Sequence, residues 1–186
     1  MELSLIVLTV INFIYVCILP FVFFKGDGTF NLMWCLTASP YVIYPCLIVA
    51  GYLGYIDPLF VMTNNPLVTI VLVLFISISI GLISMTVGGH RVPLSLWHQD
   101  NDAPVNIVTY GAYKRVRHPF YTSFIICLTC GFIIFPHYST LIVTIYGYII
   151  LNLTAIREEK RLSISDYGEE YQKYMTTTGR FFPKVF

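Results

Sequence analysis

The segment Tyr110-Gly-Ala-Tyr113-Lys-Arg115-Val-Arg117-His118-Pro119-Phe-Tyr121 joins a polar, basic stretch to an apolar run that begins at Phe120. Proline fits the first turn of a helix, where its missing N–H has no bond to lose. The segment therefore falls at a helix N-terminus, where unpaired N–H groups and the helix dipole favour an anion. Three cations at the mouth of an apolar helix equally fit a basic collar against anionic lipid headgroups. The surrounding chain separates the two readings.

At 186 residues the chain is one domain by length. Hydrophobic residues make up 56% and charged residues 11%, with a mean hydropathy of +0.73. A soluble core cannot absorb that much apolar surface, so the bilayer is the expected solvent. Cys17, Cys35, Cys46, Cys127 and Cys130 all lie in apolar runs, where thiols behave as small hydrophobes. Cys127 and Cys130 form a CxxC, but no polar ligands surround them, and neither a metal nor a nucleic-acid partner is expected.

Leu3 to Phe24 is apolar apart from Asn12, Pro20 and small hydroxyls. It is long enough to span, since a crossing takes roughly 20 residues. It is too long for a cleaved signal peptide, and Glu2 replaces the usual basic start. Lys25-Gly-Asp-Gly28 is a tight turn. Met33 to Leu53 reads as a second span, kinked or broken by Pro40 and Pro45. Leu67 to Val87 is the third, and residues 1–88 thus carry three spans. Phe120 to Phe135 and Ser139 to Ile156 are the fourth and fifth, joined at Pro136-His137 into a hairpin. The fold class expected is an all-α integral membrane protein with five transmembrane helices and a C-terminal interfacial helix.

Charge gives an independent check on five spans. All 11 Lys and Arg residues then fall on one side of the membrane, with Glu2, Asp57 and His137 on the other. The positive-inside rule places the C-terminus in the cytoplasm and the N-terminus outside. A four- or six-span count scrambles this partition.

His90 to Thr109 is the longest polar stretch, with His90, Arg91, His98, Gln99, Asp100 and Asp102. Its spacing matches no familiar metal-ligand pattern, which favours a solvated loop. Asn152-Leu-Thr154 matches a glycosylation pattern but lies at membrane depth. After Ile156 the chain turns to Arg157-Glu158-Glu159-Lys160-Arg161, where the fifth helix continues out of the bilayer. Asp166-x-x-Glu169 resembles a capping box opening a last helix. Tyr167, Tyr171 and Tyr174 share one face of it, opposite Glu169, Glu170 and Lys173, which suits either an interfacial helix or packing on its neighbours. The polar clusters at 110–121 and 157–162 flank the hairpin, so both come to its cytoplasmic end.

Gly111-x-Tyr113, Arg117-His118-Pro119-x-Tyr121, Glu158-Glu159-x-x-Leu162 and Gly168-x-x-Tyr171-x-x-Tyr174, in that order, resemble the isoprenylcysteine carboxyl methyltransferase family. The wider group includes phospholipid N-methyltransferases. The resemblance covers residues 105–183 and makes 89–186 the cofactor-binding part. It implies transfer of a methyl group from S-adenosylmethionine to the carboxylate of a prenylated cysteine, or to another lipophilic acceptor in the membrane. It also implies a cofactor site drawing on Gln99, Val105, Val108, Tyr113, Arg117, His118, Pro119, Tyr121 and Glu158, and a catalytic group of Arg157, Glu158 and Glu159. On this reading Tyr113 and Tyr121 face the sulfonium by cation–π attraction. His118 and the start of the fourth helix receive the cofactor carboxylate. Glu158 pairs with its amino group or a ribose hydroxyl.

Two positions depart from the family pattern. Ser123 stands where the family often has glycine, and Thr154 stands where it has a substrate-contacting arginine, leaving Arg157 or Arg117 to hold the acceptor. Methylation of a phospholipid amine instead needs a base, for which Glu159 or His118 are the candidates. A small transporter or a non-catalytic scaffold is the reading of a different class. The span centres carry no ionisable residue, which weighs against transport.

Overall fold

Residues 3–16, 24–25, 27–62, 65–89 and 107–184 are described by the computed structural model, the side chains of 87–89 excepted. Among them are six α-helices, one 3₁₀ turn and no strand. The helices are α1 (Leu3–Val16), α2 (Leu32–Tyr52), α3 (Pro66–Gly89), α4 (Pro119–Ile134), α5 (Tyr138–Ser163) and α6 (Gly168–Thr177). The 3₁₀ turn is Gly111–Lys114, just before α4. Among the described residues three helices are long and apolar enough to cross a membrane: α2, Pro66–Thr86 of α3, and α5. α1, over its described residues, and α4 are apolar but shorter, at 14 and 16 residues.

Apolar helices in lipid gain nothing from burying apolar surface against one another. They associate through close packing, small residues and interhelical hydrogen bonds. α4 is where these meet. Eleven of its 16 residues are buried, and it touches α1, α2, α3 and α5. Ser123 is fully buried and exchanges bonds with Ser79 of α3: Ser123 Oγ donates to the Ser79 carbonyl at 2.9 Å, and Ser79 Oγ to the Ser123 carbonyl at 3.2 Å. Ser79 Oγ also lies 3.1 Å from Oδ1 of Asn12 on α1. A small hydroxylic residue at 123 thus both permits close approach and binds it. On the opposite flank, Tyr44 of α2 donates to the Thr140 carbonyl of α5 at 3.1 Å and stacks on Phe13 at 5.2 Å.

α2 runs unbroken through Pro40 and Pro45, so neither proline ends the helix. Pro40 has no N–H for the Leu36 carbonyl. That carbonyl accepts instead from Ser39 Oγ and from Tyr146 Oη of α5, both at 3.0 Å. Neighbouring side chains supply the missing donor, which is how membrane helices tolerate proline.

α5 does continue past the apolar run that ends at Ile156, to Ser163. α6 starts at Gly168 with Tyr167 as its N-cap and no side-chain cap bond, so the expected Asp166–Glu169 capping box is not formed. Ser165 Oγ takes the Tyr167 N–H instead at 3.3 Å, and the helix begins too late for Asp166 to cap it. Glu169 and Glu170 still occupy its first turn, where the dipole favours acids. The tyrosine face packs inward: Tyr171 and Tyr174 are buried, while Glu169, Glu170 and Lys173 are exposed.

Gly131 of α4 tests this packing. A Cβ there would meet the Tyr44 ring at 2.5 Å, and Tyr44 is fully buried and tethered to α5. A Cβ on Gly81 of α3 meets nothing within 4 Å. Gly131→Ala is expected to destabilise the detergent-purified protein by about 1–3 kcal/mol, read as a lower thermal midpoint. Gly81→Ala should leave the midpoint unchanged or raise it. Equal midpoints would contradict the α2–α4 contact.

Candidate functional site

The polar end of the α4–α5 hairpin is assembled from three separate stretches. Gly111, in the left-handed region at φ 63°, opens the 3₁₀ turn; a residue with a Cβ is strained there. The chain then runs through Val116, Arg117 and His118 into Pro119, the first residue of α4, with His118 as its N-cap. This is the helix start expected of Arg-His-Pro. α5 supplies Glu158 and Glu159 about one turn before its end. The third stretch, after α6, lies parallel to the first: Arg117 N–H donates to Gly179 O at 2.8 Å, and His118 N–H to Arg180 O at 3.1 Å. Thr122 Oγ1 adds a bond to Phe181 O at 2.8 Å.

Glu159 stands at the centre, its side chain only 8% exposed. Its Oε1 accepts from Arg117 Nε at 2.9 Å and Arg180 Nε at 3.1 Å, and lies 3.2 Å from His118 Nε2. Its Oε2 accepts from Arg180 Nη2 at 2.6 Å. Burial would raise its pKa, but His118, Arg180 and Arg117 together hold it well below the usual carboxylate range. His118 is buried, which alone would lower its pKa. Glu158 and Glu159, 3.4 and 3.2 Å from its two nitrogens, outweigh that and raise it. Carboxylates at both ring nitrogens thus favour the protonated imidazole. Its ring lies parallel to Tyr121 at 5.1 Å, and Tyr121 donates to Glu158 Oε2 at 3.2 Å.

The surrounding tyrosines stay neutral. Burial pushes Tyr113 and Tyr171 upward, with Glu158 adding to the first and Glu159 to the second. Tyr174 is pushed up to about 12, chiefly by burial, and its hydroxyl donates to Tyr113 O at 2.5 Å. That bond ties α6 to the 3₁₀ turn.

Of the site residues expected from sequence, Arg117, His118, Tyr121, Glu158 and Glu159 are joined by direct contacts. Pro119 positions them at the head of α4, and Tyr113 lies close enough to feel the Glu158 charge. Val108 is buried nearby in sequence. Gln99 and Val105 lie outside the described residues, as do His90, Arg91, His98, Asp100 and Asp102. Arg157 is not brought in: it is exposed, because two residues turn a helix by about 200° and point it away from Glu159. Thr154 is buried and bonds back to Ile150 O at 2.8 Å. Tyr121 is buried and its ring stacks on His118.

Two members were missed. Arg180 holds Glu159 on two edges and donates from Nη1 to Asn152 Oδ1 at 2.9 Å. Asn152 precedes Glu159 by seven residues, two turns on the same face of α5. That spacing was visible in a residue otherwise dismissed as an unusable glycosylation site. Arg180 lies 21 residues beyond Glu159, where no helical periodicity points to it.

Among the described residues, no group of three or more His, Cys, Asp or Glu side chains is placed to hold a metal ion. Compared with known proteins, the chain matches no family model, no curated protein and no solved structure.

The cluster makes stability pH-dependent in two senses. Glu159, depressed in the folded state, stabilises above its ordinary value of 4.5, and this is lost as pH falls through the folded value. His118, raised, stabilises below its ordinary 6.5, and this is lost as pH rises through the folded value. Glu159→Gln should remove the acid-side dependence. It should also destabilise by about 3–5 kcal/mol, because two guanidinium groups lose their shared carboxylate. Denaturation midpoints measured across pH check both, and an unchanged acid limb in the variant would contradict the assignment.

Proposed function

We propose that this chain is a membrane methyltransferase that uses S-adenosylmethionine to methylate the carboxylate of an isoprenylated cysteine or a similar lipophilic acid. The observation that carries this reading is the direct contact of Arg117-His118 with Glu158-Glu159 across the hairpin. The same ordered motifs carry the resemblance to isoprenylcysteine carboxyl methyltransferases. We further propose five spans, with α1 and α4 crossing alongside the three longer helices. The one-sided distribution of Lys and Arg supports this topology, with the cluster on the cytoplasmic face.

The donor set suits the cofactor. S-adenosylmethionine carries both signs of charge and an aromatic ring, and the cluster offers carboxylates, cations and tyrosines together. Glu158, its side chain 19% exposed against 8% for Glu159, is the carboxylate for an amino group or a ribose hydroxyl. Tyr113, a neutral phenol beside Glu158, is the aromatic wall. Bound S-adenosylmethionine supplies an electrophilic methyl group. The protein's part is to align the acceptor and strip water from it.

An acceptor carboxylate is ionised at neutral pH and needs no base. Methylation of a phospholipid amine does need one. Both candidates for that role are already engaged: Glu159 with Arg117, Arg180 and His118, and His118 with both carboxylates. The arrangement therefore favours the carboxylate acceptor over the amine.

Calorimetry on the detergent-purified protein should detect S-adenosylmethionine binding, and its absence would overturn the reading. With labelled cofactor, a farnesylated cysteine analogue should gain the methyl group and phosphatidylethanolamine should not. His118→Ala and Glu158→Ala should each weaken cofactor binding about tenfold, the size of a charged hydrogen bond, without preventing membrane insertion.

A further inference from the structure

Arg157 stands outside the charged cluster, on a face of α5 that has its own pattern. Ile142, Ile145, Ile149, Leu153 and Ile156 are exposed large apolar side chains, and their spacing of three or four residues keeps them on one stripe of the helix. The other face is the packed one, where Gly147, Leu151, Ala155 and Glu159 are buried. α5 is long and apolar enough to cross a membrane. In a bilayer its exposed stripe therefore faces acyl chains.

The stripe outlasts the apolar run. Lys160, four residues after Ile156, continues it about 6 Å further along the helix. Arg157 flanks it, Arg161 lies one turn beyond Arg157, and Ile164 closes this side of the helix at 78% exposure. A stripe that meets chains at Ile156 meets headgroups one turn on. Long basic side chains at that depth lay their stems along apolar surface and carry the charge out to the phosphates.

Arg157, Lys160 and Arg161 are exposed, and among the described residues the ion pairs of the cluster are made by Arg117, His118 and Arg180 instead. The two glutamates between them, Glu158 and Glu159, turn to His118. The acids that follow, Asp166, Glu169 and Glu170, are exposed and join none of these pairs. Lys160 and Arg161 occupy the last turn of α5, where the dipole favours cations. Arg157 lies before that turn, beyond the reach of that effect.

We propose that Arg157, Lys160 and Arg161 form a headgroup site for an anionic phospholipid on the outer face of α5, in the leaflet on the side of the charged cluster. The occupant is a lipid and not a free phosphate, because the apolar stripe runs directly into the cations: a molecule whose chains lie along the one brings its phosphate to the other. It is anionic and not zwitterionic, because the two intervening glutamates are engaged elsewhere and leave a positive balance that a neutral headgroup does not meet. The site asks nothing of methyl transfer and holds or fails without it.

The test is to reconstitute the full chain in nanodiscs of mixed phosphatidylglycerol and phosphatidylcholine, and to count by native mass spectrometry the lipids retained on release. Each cation beside an anionic lipid contributes roughly fivefold to affinity, so phosphatidylglycerol should be retained over phosphatidylcholine by about tenfold or more. Lys160→Gln should lower that ratio about fivefold, and replacing all three cations by Gln should abolish the preference. Lys173→Gln, which removes an exposed charge from α6, should leave the ratio unchanged. Equal retention of the two lipids by the unaltered protein, a ratio that survives the triple variant, or an equal fall in Lys173→Gln would each overturn the proposal. So would a lower thermal midpoint with an unchanged ratio, which would reduce these cations to partners of the helix dipole. Added glycerol phosphate should not displace the retained lipid, and displacement would make the site one for soluble phosphate. Where the triple variant does not insert, the ratios of Lys160→Gln and Lys173→Gln decide.

Discussion

The carboxylate of Glu159 is the single group on which the polar end of the molecule depends. Its two oxygens meet Arg117 and His118 from the head of α4, and Arg180 from the segment after α6. These stretches are far apart in sequence and are gathered around one buried charge. A buried ion pair is weak evidence for stability, because desolvation offsets much of the attraction, but breaking one leaves uncompensated charge behind. Here three cations share one acceptor, so its loss would set them against each other. The network specifies which turn of α5 faces the head of α4, a matter that apolar packing in lipid leaves loosely determined.

Backbone bonds reinforce the same arrangement. The parallel pairing of 116–118 with 179–180 fixes Arg180 beside His118 independently of either side chain. Tyr174 anchors α6 to the 3₁₀ turn from the other side. The C-terminal segment thus acts as a strap across the mouth of the hairpin, and the charged cluster is as much its product as that of α4 and α5. Deeper in, the Ser79–Ser123 exchange holds α3 against α4 and carries the order of the polar end down into the helical body.

Much of this was legible in the sequence, and the failures share a cause. Proline at 119 marked the start of α4, and the hairpin brought residues 117–118 to 158–159, because both follow from local rules and a short turn. Arg157 stands outside the cluster despite its closeness in sequence, because a helix sends Arg157 and Glu159 to opposite sides. Arg180 was missed because its position depends on a backbone pairing that no periodicity announces. Pro40 failed to break α2 because a distant side chain, Tyr146, supplies what the proline removes. For Arg180 and Pro40 a tertiary contact overrode a local rule. Gln99 and Val105 stay outside what the structure describes.

The brevity of α4 bears on where chemistry takes place. Its 16 residues rise about 24 Å, against roughly 30 Å of hydrocarbon in an ordinary bilayer. On the proposed topology this mismatch is relieved by local thinning, or by sinking the polar head of α4 below the plane of the phosphates. On that topology the Arg117–Glu159–Arg180 cluster would lie at or just below the headgroup plane. A membrane-embedded acid would then reach it by lateral diffusion within one leaflet, without withdrawing its tail into water, and the thickness of the host membrane becomes a variable that tunes access.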